Sequence, residues 1–128
     1  MATKQRTLAA QLSFEGKGLH TGLQVKMNVL PADENFGIAF RRVDIEGAPE
    51  VPALCEYVTD TSRGTTIEKG EAKVSTIEHI MSALWTLGVD NAIIEINAPE
   101  TPIMDGSALE YAKAISEVGT VEQNAERK

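Results

Sequence analysis

Val74-Ser75-Thr76-Ile77-Glu78-His79-Ile80 is the stretch in which the apolar pattern changes from a strand period to a helix period. Upstream, Thr65-Thr66-Ile67 and Ala72-Lys73-Val74 flank a Lys69-Gly70 turn and predict a small hairpin. Downstream, Ile77, Ile80, Met81, Leu84, Trp85 and Leu87 fall on a helical arc of roughly 160°, at about 100° per residue. That arc is wider than contact with one sheet requires. Ser75 and Glu78 have the S-x-x-E spacing of a capping box, and Gly88 is placed to end the helix. The first turn of a helix beside a strand end holds reactive side chains rigidly, and a carboxylate next to an imidazole suits hydrolysis.

Working outward, Ala92-Ile93-Ile94-Glu95-Ile96 is apolar at most positions and predicts a strand central in its sheet. Pro99 and Pro102 make a rigid connection to a second helix, expected to start at Ser107, to carry a capping box with Glu110 and to stop at Gly119. Toward the N-terminus, Leu8, Ala10, Leu12 and Phe14 alternate as one strand. A glycine-rich loop, Glu15 to Gly22, joins it to a second strand through Leu23, Val25, Met27 and Val29. Ile38 and Phe40 mark a third strand, and Leu54 to Val58 reads as a short extended piece. Thr120 to Lys128 is polar, with no core residue beyond Val121, and reads as a linker or tail. These elements give an α+β domain: a mostly antiparallel or mixed sheet with two helices on one face. A second domain, absent from this chain, is expected to cover the other side of the helices; an apolar patch and self-association through exposed helix faces would fit that expectation.

The 128 residues suffice for one domain with its own core. A net charge of -7 argues against nucleic acid or an anionic membrane as partner, since both reward clustered Lys and Arg. No apolar run reaches the roughly 20 residues of a membrane span. One cysteine, Cys55, permits no internal disulfide, which favours a reducing compartment, the cytoplasm. On its short strand Cys55 is expected to be a buried small hydrophobe.

Several residues have competing readings. Glu78 can satisfy a backbone N–H of its own helix or act as a base. His79 lies close to the apolar arc, where a lone histidine is more often a core or boundary residue than a metal ligand. The pair is not H-E-x-x-H, because the order is reversed and a second histidine is missing. A catalytic zinc needs about three protein ligands and an open position. His20, Cys55, Asp60 and Asp105 are the other conceivable donors, and none has helical ligand spacing to His79. The loop Gly16-x-Gly18-x-His20-x-Gly22 opens a strand rather than a helix, unlike a phosphate cradle. Asp105 before Gly106 suits a turn. Thr61, Ser62 and Arg63 form a polar loop.

Taken together, Gly18-Leu19-His20-Thr21-Gly22, Arg41-Arg42-Val43-Asp44, Val74 to His79, Leu87-Gly88-Val89-Asp90-Asn91 and Asn97 to Ser107 resemble the N-terminal domain of the UDP-3-O-acyl-N-acetylglucosamine deacetylases. These are zinc enzymes of lipid A biosynthesis in Gram-negative bacteria, and the resemblance runs over the whole chain in matching order and spacing. It implies a two-domain β-α-α-β sandwich of which this chain is one half, with residues 1–119 the N-terminal deacetylase domain and 120–128 the start of the interdomain linker. It further implies His79 as the first domain's zinc ligand and Glu78 as the general base. The other ligands, spaced H-x-x-x-D, belong to the missing C-terminal domain, and no H-x-x-x-D occurs here. Thr61, Ser62 and Arg63 match the loop edging the site near the scissile amide. His20 and Asp105 lie in family motifs without an assigned role. The implied substrate is a UDP-sugar bearing an acyl chain, and some members are fused to a hydroxyacyl-dehydratase domain. The chain alone is then expected to be inactive and to bind zinc weakly. The rival reading is a non-catalytic α+β interaction module that binds a partner through its helix face.

Overall fold

A computed structural model describes residues 3–62, 64–104, 106 and 108–127. Its centre is a five-stranded mixed sheet, ordered β2 (Leu12–Lys17), β3 (Gln24–Pro31), β9 (Ala92–Ile96), β4 (Ile38–Arg42) and β5 (Glu50–Pro52). β3 alternates strictly, burying Val25, Met27 and Val29 on one face, as a half-covered strand must. It pairs antiparallel with β2, setting Phe14 against Met27, so the expected glycine-linked hairpin forms. β9 is central, as its apolar run suggests: antiparallel to β3, with Val29 opposite Ile94, and parallel to β4, with Phe40 opposite Ile94.

The parallel β4–β9 pair requires a long crossover, and most of the site lies in it. After β5 come a single 3-10 turn, Cys55–Tyr57, and a small sheet of β6 (Val58–Asp60), β7 (Thr66–Lys69) and β8 (Ala72–Ser75). The β7–β8 hairpin is the one the Lys69-Gly70 turn predicts. Helix α1 (Glu78–Thr86) follows, and Gly88 ends it with φ 75°. Val89 N–H reaches Leu84 O at 2.9 Å and Gly88 N–H reaches Trp85 O at 3.1 Å, the paired bonds of a glycine-terminated helix. Helix α2 (Leu109–Val118) packs against α1 and β2, and Gly119 terminates it.

Both helices face the sheet through one core. Ile80 and Leu84 of α1 and Tyr111 and Ile115 of α2 meet Val25, Met27, Phe40, Ile94 and Ile96, all fully buried. Each such side chain contributes about 1.5–3 kcal/mol by its removal from water. The Tyr111 ring stands edge-on to Phe14 at 4.8 Å between centroids. The opposite edges of the helices are uncovered: Trp85 is 84% exposed and Leu109 67%. The wide apolar arcs are thus only partly used within this chain. No helix among the described residues is long and apolar enough to cross a membrane.

The structure corrects five local expectations. The single strand through Leu8, Ala10, Leu12 and Phe14 is two strands, β1 (Lys4–Leu8) and β2, separated by a bend at exposed Ala9 and Ala10. Small alanines disguise that bend, because they count as apolar while burying nothing there. The 54–58 piece is the 3-10 turn, and Cys55 in it is exposed rather than buried. The polar stretch after α2 is a strand, β10 (Thr120–Glu126), antiparallel to β1 with Thr7 opposite Val121. It is fixed by a backbone ladder and by side-chain amides rather than by apolar burial: Asn91 Nδ2 donates to Gln123 Oε1 at 2.7 Å, and Gln123 Nε2 to Ala32 O at 3.0 Å. Helix α2 begins at Leu109, with Ala108 as its capping residue and no side-chain cap bond, while Ser107 lies outside the described residues.

The fifth correction concerns the turn entering α1. Ser75 and Glu78 do not form a capping box. Ser75 still belongs to β8, and its hydroxyl oxygen accepts from Thr66 Oγ1 at 3.0 Å. Thr76, at φ 61°, swings the chain so that α1 starts at Glu78 behind Ile77, and no side-chain cap bond forms. The carboxylate is therefore not used by its own helix.

Candidate active site

Glu78 instead reaches across to the loop between β6 and β7. Its Oε2 accepts the Thr65 backbone N–H at 2.6 Å. Its Oε1 is buried and has no hydrogen-bond partner among the described residues. A buried carboxylate oxygen without a partner is costly and calls for a physical explanation. Gly64 packs over it: a Cβ at Gly64 would stand 3.2 Å from Oε1 and 3.4 Å from Thr76 Oγ1, and φ there is 123°, a conformation suited to glycine. His79, the next residue on the helix, is half-buried.

Beside this pair runs an apolar groove of about 400 Å³, lined by Thr65, Ile77, Glu78, Met81, Ser82 and Trp85. A smaller cavity of about 140 Å³ is lined by Gly64 together with His20, Thr21, Asp60, Lys73 and Glu100 among others. His20 is exposed, and its backbone N–H donates to both oxygens of Glu100, at 3.0 Å each. The structure thus brings the His20 loop close to Gly64, and through it close to Glu78.

Asp60 organises the loop before Gly64 by accepting from the Ser62 N–H at 2.9 Å and the Ser62 hydroxyl at 2.8 Å. These bonds, the backbone one foremost, hold the Asp60 carboxyl below its usual range. Thr61 and Ser62 are exposed, and neither hydrogen-bonds to Glu78 or His79 among the described residues. Arg63 and Asp105 lie outside the described residues.

Sequence reasoning missed Gly64, Thr65, Thr76 and Glu100. Glu100 is fully buried, between Pro99 and Thr101 in the connection to α2. It accepts the N–H groups of His20 and Thr21 and, at 2.9 Å, the Thr76 hydroxyl. Burial pushes its carboxyl up, but the Thr21 and His20 N–H groups and the Thr76 hydroxyl outweigh burial and hold it below the ordinary value. The available signal was a charged residue inside a proline-bounded segment.

An imidazole nitrogen is a donor that zinc accepts, and Glu78, whose Oε1 has no partner among the described residues, places a carboxylate on the same helical turn as His79. The described residues do not form such a site by themselves: no three His, Cys, Asp or Glu side chains gather to hold a metal ion.

Comparisons with known proteins bear on the family of the chain. The chain is 52% identical over 124 residues to a bifunctional LpxC/FabZ enzyme of Porphyromonas gingivalis, covering 97% of this chain and 27% of that protein. It is 50% identical over 125 residues to the UDP-3-O-acyl-N-acetylglucosamine deacetylase of Teredinibacter turnerae and 49% identical to that of Legionella pneumophila, covering 98% of this chain in each case. The chain spans 41% of the length of those two deacetylases. The family model described as LpxC, UDP-3-O-acyl N-acetylglycosamine deacetylase, matches residues 5–128. With that match running from β1 through β10, across the Glu78–His79 turn and both flanking loops, the chain belongs to the UDP-3-O-acyl N-acetylglycosamine deacetylase family.

Proposed function

We propose that residues 1–119 are the first domain of a zinc-dependent amidohydrolase that removes acetate from UDP-3-O-acyl-N-acetylglucosamine in lipid A biosynthesis, and that residues 120–128 begin the connection to a second domain. The observation that carries this reading is the Glu78 carboxylate, oriented by Thr65 through one oxygen and unpartnered at the other, on the same helical turn as His79. His79 would hold the zinc together with ligands of the second domain, and the bound ion would supply Lewis acidity for amide hydrolysis. Glu78 Oε1 takes a proton from the attacking water while the Thr65 N–H keeps the carboxylate from turning away. The water oxygen joins the acetyl carbon, the C–N bond breaks, and the sugar nitrogen takes up a proton as acetate leaves.

Thr61, Ser62 and Arg63 would edge the site on the substrate side. The exposure of Thr61 and Ser62 in the loop leading to Gly64 supports that placement. The uncovered helix edges at Trp85 and Leu109 support a second domain stacked over the helices. An exposed free cysteine, Cys55, suits the cytoplasm.

In the complete two-domain enzyme, Glu78→Gln keeps the Thr65 bond but removes the base, and turnover should fall by roughly 10²–10⁴. His79→Ala should release zinc. This chain alone should be inactive and bind zinc weakly; stoichiometric tight zinc or deacetylation by the 128-residue chain would overturn the shared-site reading. The exposed Trp85 face gives the rival, a non-catalytic partner-binding module, its one support. On that reading Glu78→Gln would leave function unchanged.

A further inference from the structure

We infer that Glu100 is a positioning residue for the Glu78–His79 turn, acting through Thr76; this inference rests on the roles proposed above for Glu78 and His79. Glu100 is 0% exposed and takes part in no ion pair among the described residues. Its charge is instead met by donors from two separate segments. The β2–β3 loop gives the His20 and Thr21 N–H groups, and the turn entering α1 gives the Thr76 hydroxyl. Gly18 makes room for it, because a Cβ there would overlap the Glu100 carboxylate.

Thr76 is where this clamp bears on the site. It is buried, and at φ 61° it occupies a backbone conformation rare for a β-branched residue. Residues 99–101 grip it and its neighbour: Ser75 N–H donates to Pro99 O at 2.7 Å, Thr101 N–H to Ser75 O at 3.2 Å, and Thr101 Oγ1 to Thr76 O at 2.5 Å. Glu100 adds a side-chain bond that fixes the Thr76 hydroxyl. Glu78 follows two residues later, so rotation at Thr76 re-aims Oε1 and the His79 ring together. The Thr21 and Thr76 hydroxyls could turn to accept, but the two backbone N–H groups can only donate. His20 N–H is shared between both carboxylate oxygens, so a glutamine NH₂ in either position would face a donor.

The test uses the complete two-domain enzyme. Glu100→Gln should lower kcat by roughly 10–100-fold with KM near wild type, and should weaken zinc binding to the metal-free protein, read by chelator competition, by a similar factor. Thr76→Ser keeps the hydroxyl and should match wild type in both readouts, whereas Thr76→Ala should reproduce Glu100→Gln. The double variant Thr76→Ala with Glu100→Gln should be no worse than the poorer single one. Wild-type kcat and zinc affinity in folded Glu100→Gln, or identical behaviour of Thr76→Ala and Thr76→Ser, would overturn the inference. Should Glu100→Gln not fold, the Thr76 pair decides. Turnover retained in Glu78→Gln overturns the proposed base. Turnover lost there but intact in Glu100→Gln overturns only the positioning role.

Discussion

Thr65 donates its backbone N–H to Oε2 of Glu78 at 2.6 Å across a sequence separation of 13 residues, and Oε1 is buried without a partner among the described residues. The bond joins the end of the β6–β7 loop to the first residue of α1. It holds the carboxylate by one oxygen and leaves the other without a partner among the described residues.

Gly64 sits against that free oxygen, so Gly64→Ala is expected to disturb it directly. At φ 123° an alanine is strained by about 1–3 kcal/mol, and its methyl would press on Oε1 at 3.2 Å. Urea denaturation should show the loss of stability. Turnover of the complete enzyme should fall by more than the change in folded fraction explains.

Glu100 sets a dependence on acid. Its folded pKa lies below the ordinary 4.5, so its contribution to stability is fully present above that value and is lost as pH falls through the lower folded pKa. Asp44, lowered chiefly by its hydrogen bond from Arg42, acts with the same sign. Urea midpoints measured from neutral pH downward should hold steady and then drop below pH about 4.5. One proton gives a slope of at most about 1.4 kcal/mol per pH unit, and Glu100→Gln should flatten the curve by that share.

Trp85 is 84% exposed on α1, beside the apolar groove at Glu78. Trp85→Ser should therefore change the stability of this chain by less than about 0.5 kcal/mol. The wild-type chain should self-associate in sedimentation velocity, and the variant should do so less, because a large apolar group leaves the surface. A monodisperse wild-type monomer would contradict this.

Tyr111 is fully buried, and its hydroxyl donates to Pro102 O at 2.5 Å, tying α2 to the connection that carries Glu100. Tyr111→Phe should cost about 1–3 kcal/mol in chemical denaturation, since the ring packing survives but the buried carbonyl loses this donor. Ile94→Ala, at the centre of the sheet, should cost about 2–5 kcal/mol by opening a cavity.

The α+β class, the β2–β3 hairpin, the central place of β9, the Lys69-Gly70 turn and the glycine ends of both helices were legible along the chain. So was the placing of Glu78 and His79 on one helical turn. These depend on local periodicity and on glycine at positive φ, and both are legible in neighbouring residues. Tertiary structure alone decided the rest. Ser75-x-x-Glu78 has the spacing of a capping box, yet Thr76 at φ 61° hands Ser75 to a strand and turns Glu78 toward Thr65. β10 has no apolar signature, because its partners are the β1 backbone and buried amides distant in sequence. Glu100 reads as one more surface acid until the fold brings His20, Thr21 and Thr76 around it. A pattern along the chain records which face is buried, but not which distant donor will meet a given carboxylate; here that choice fixed which oxygen of Glu78 is left unpartnered.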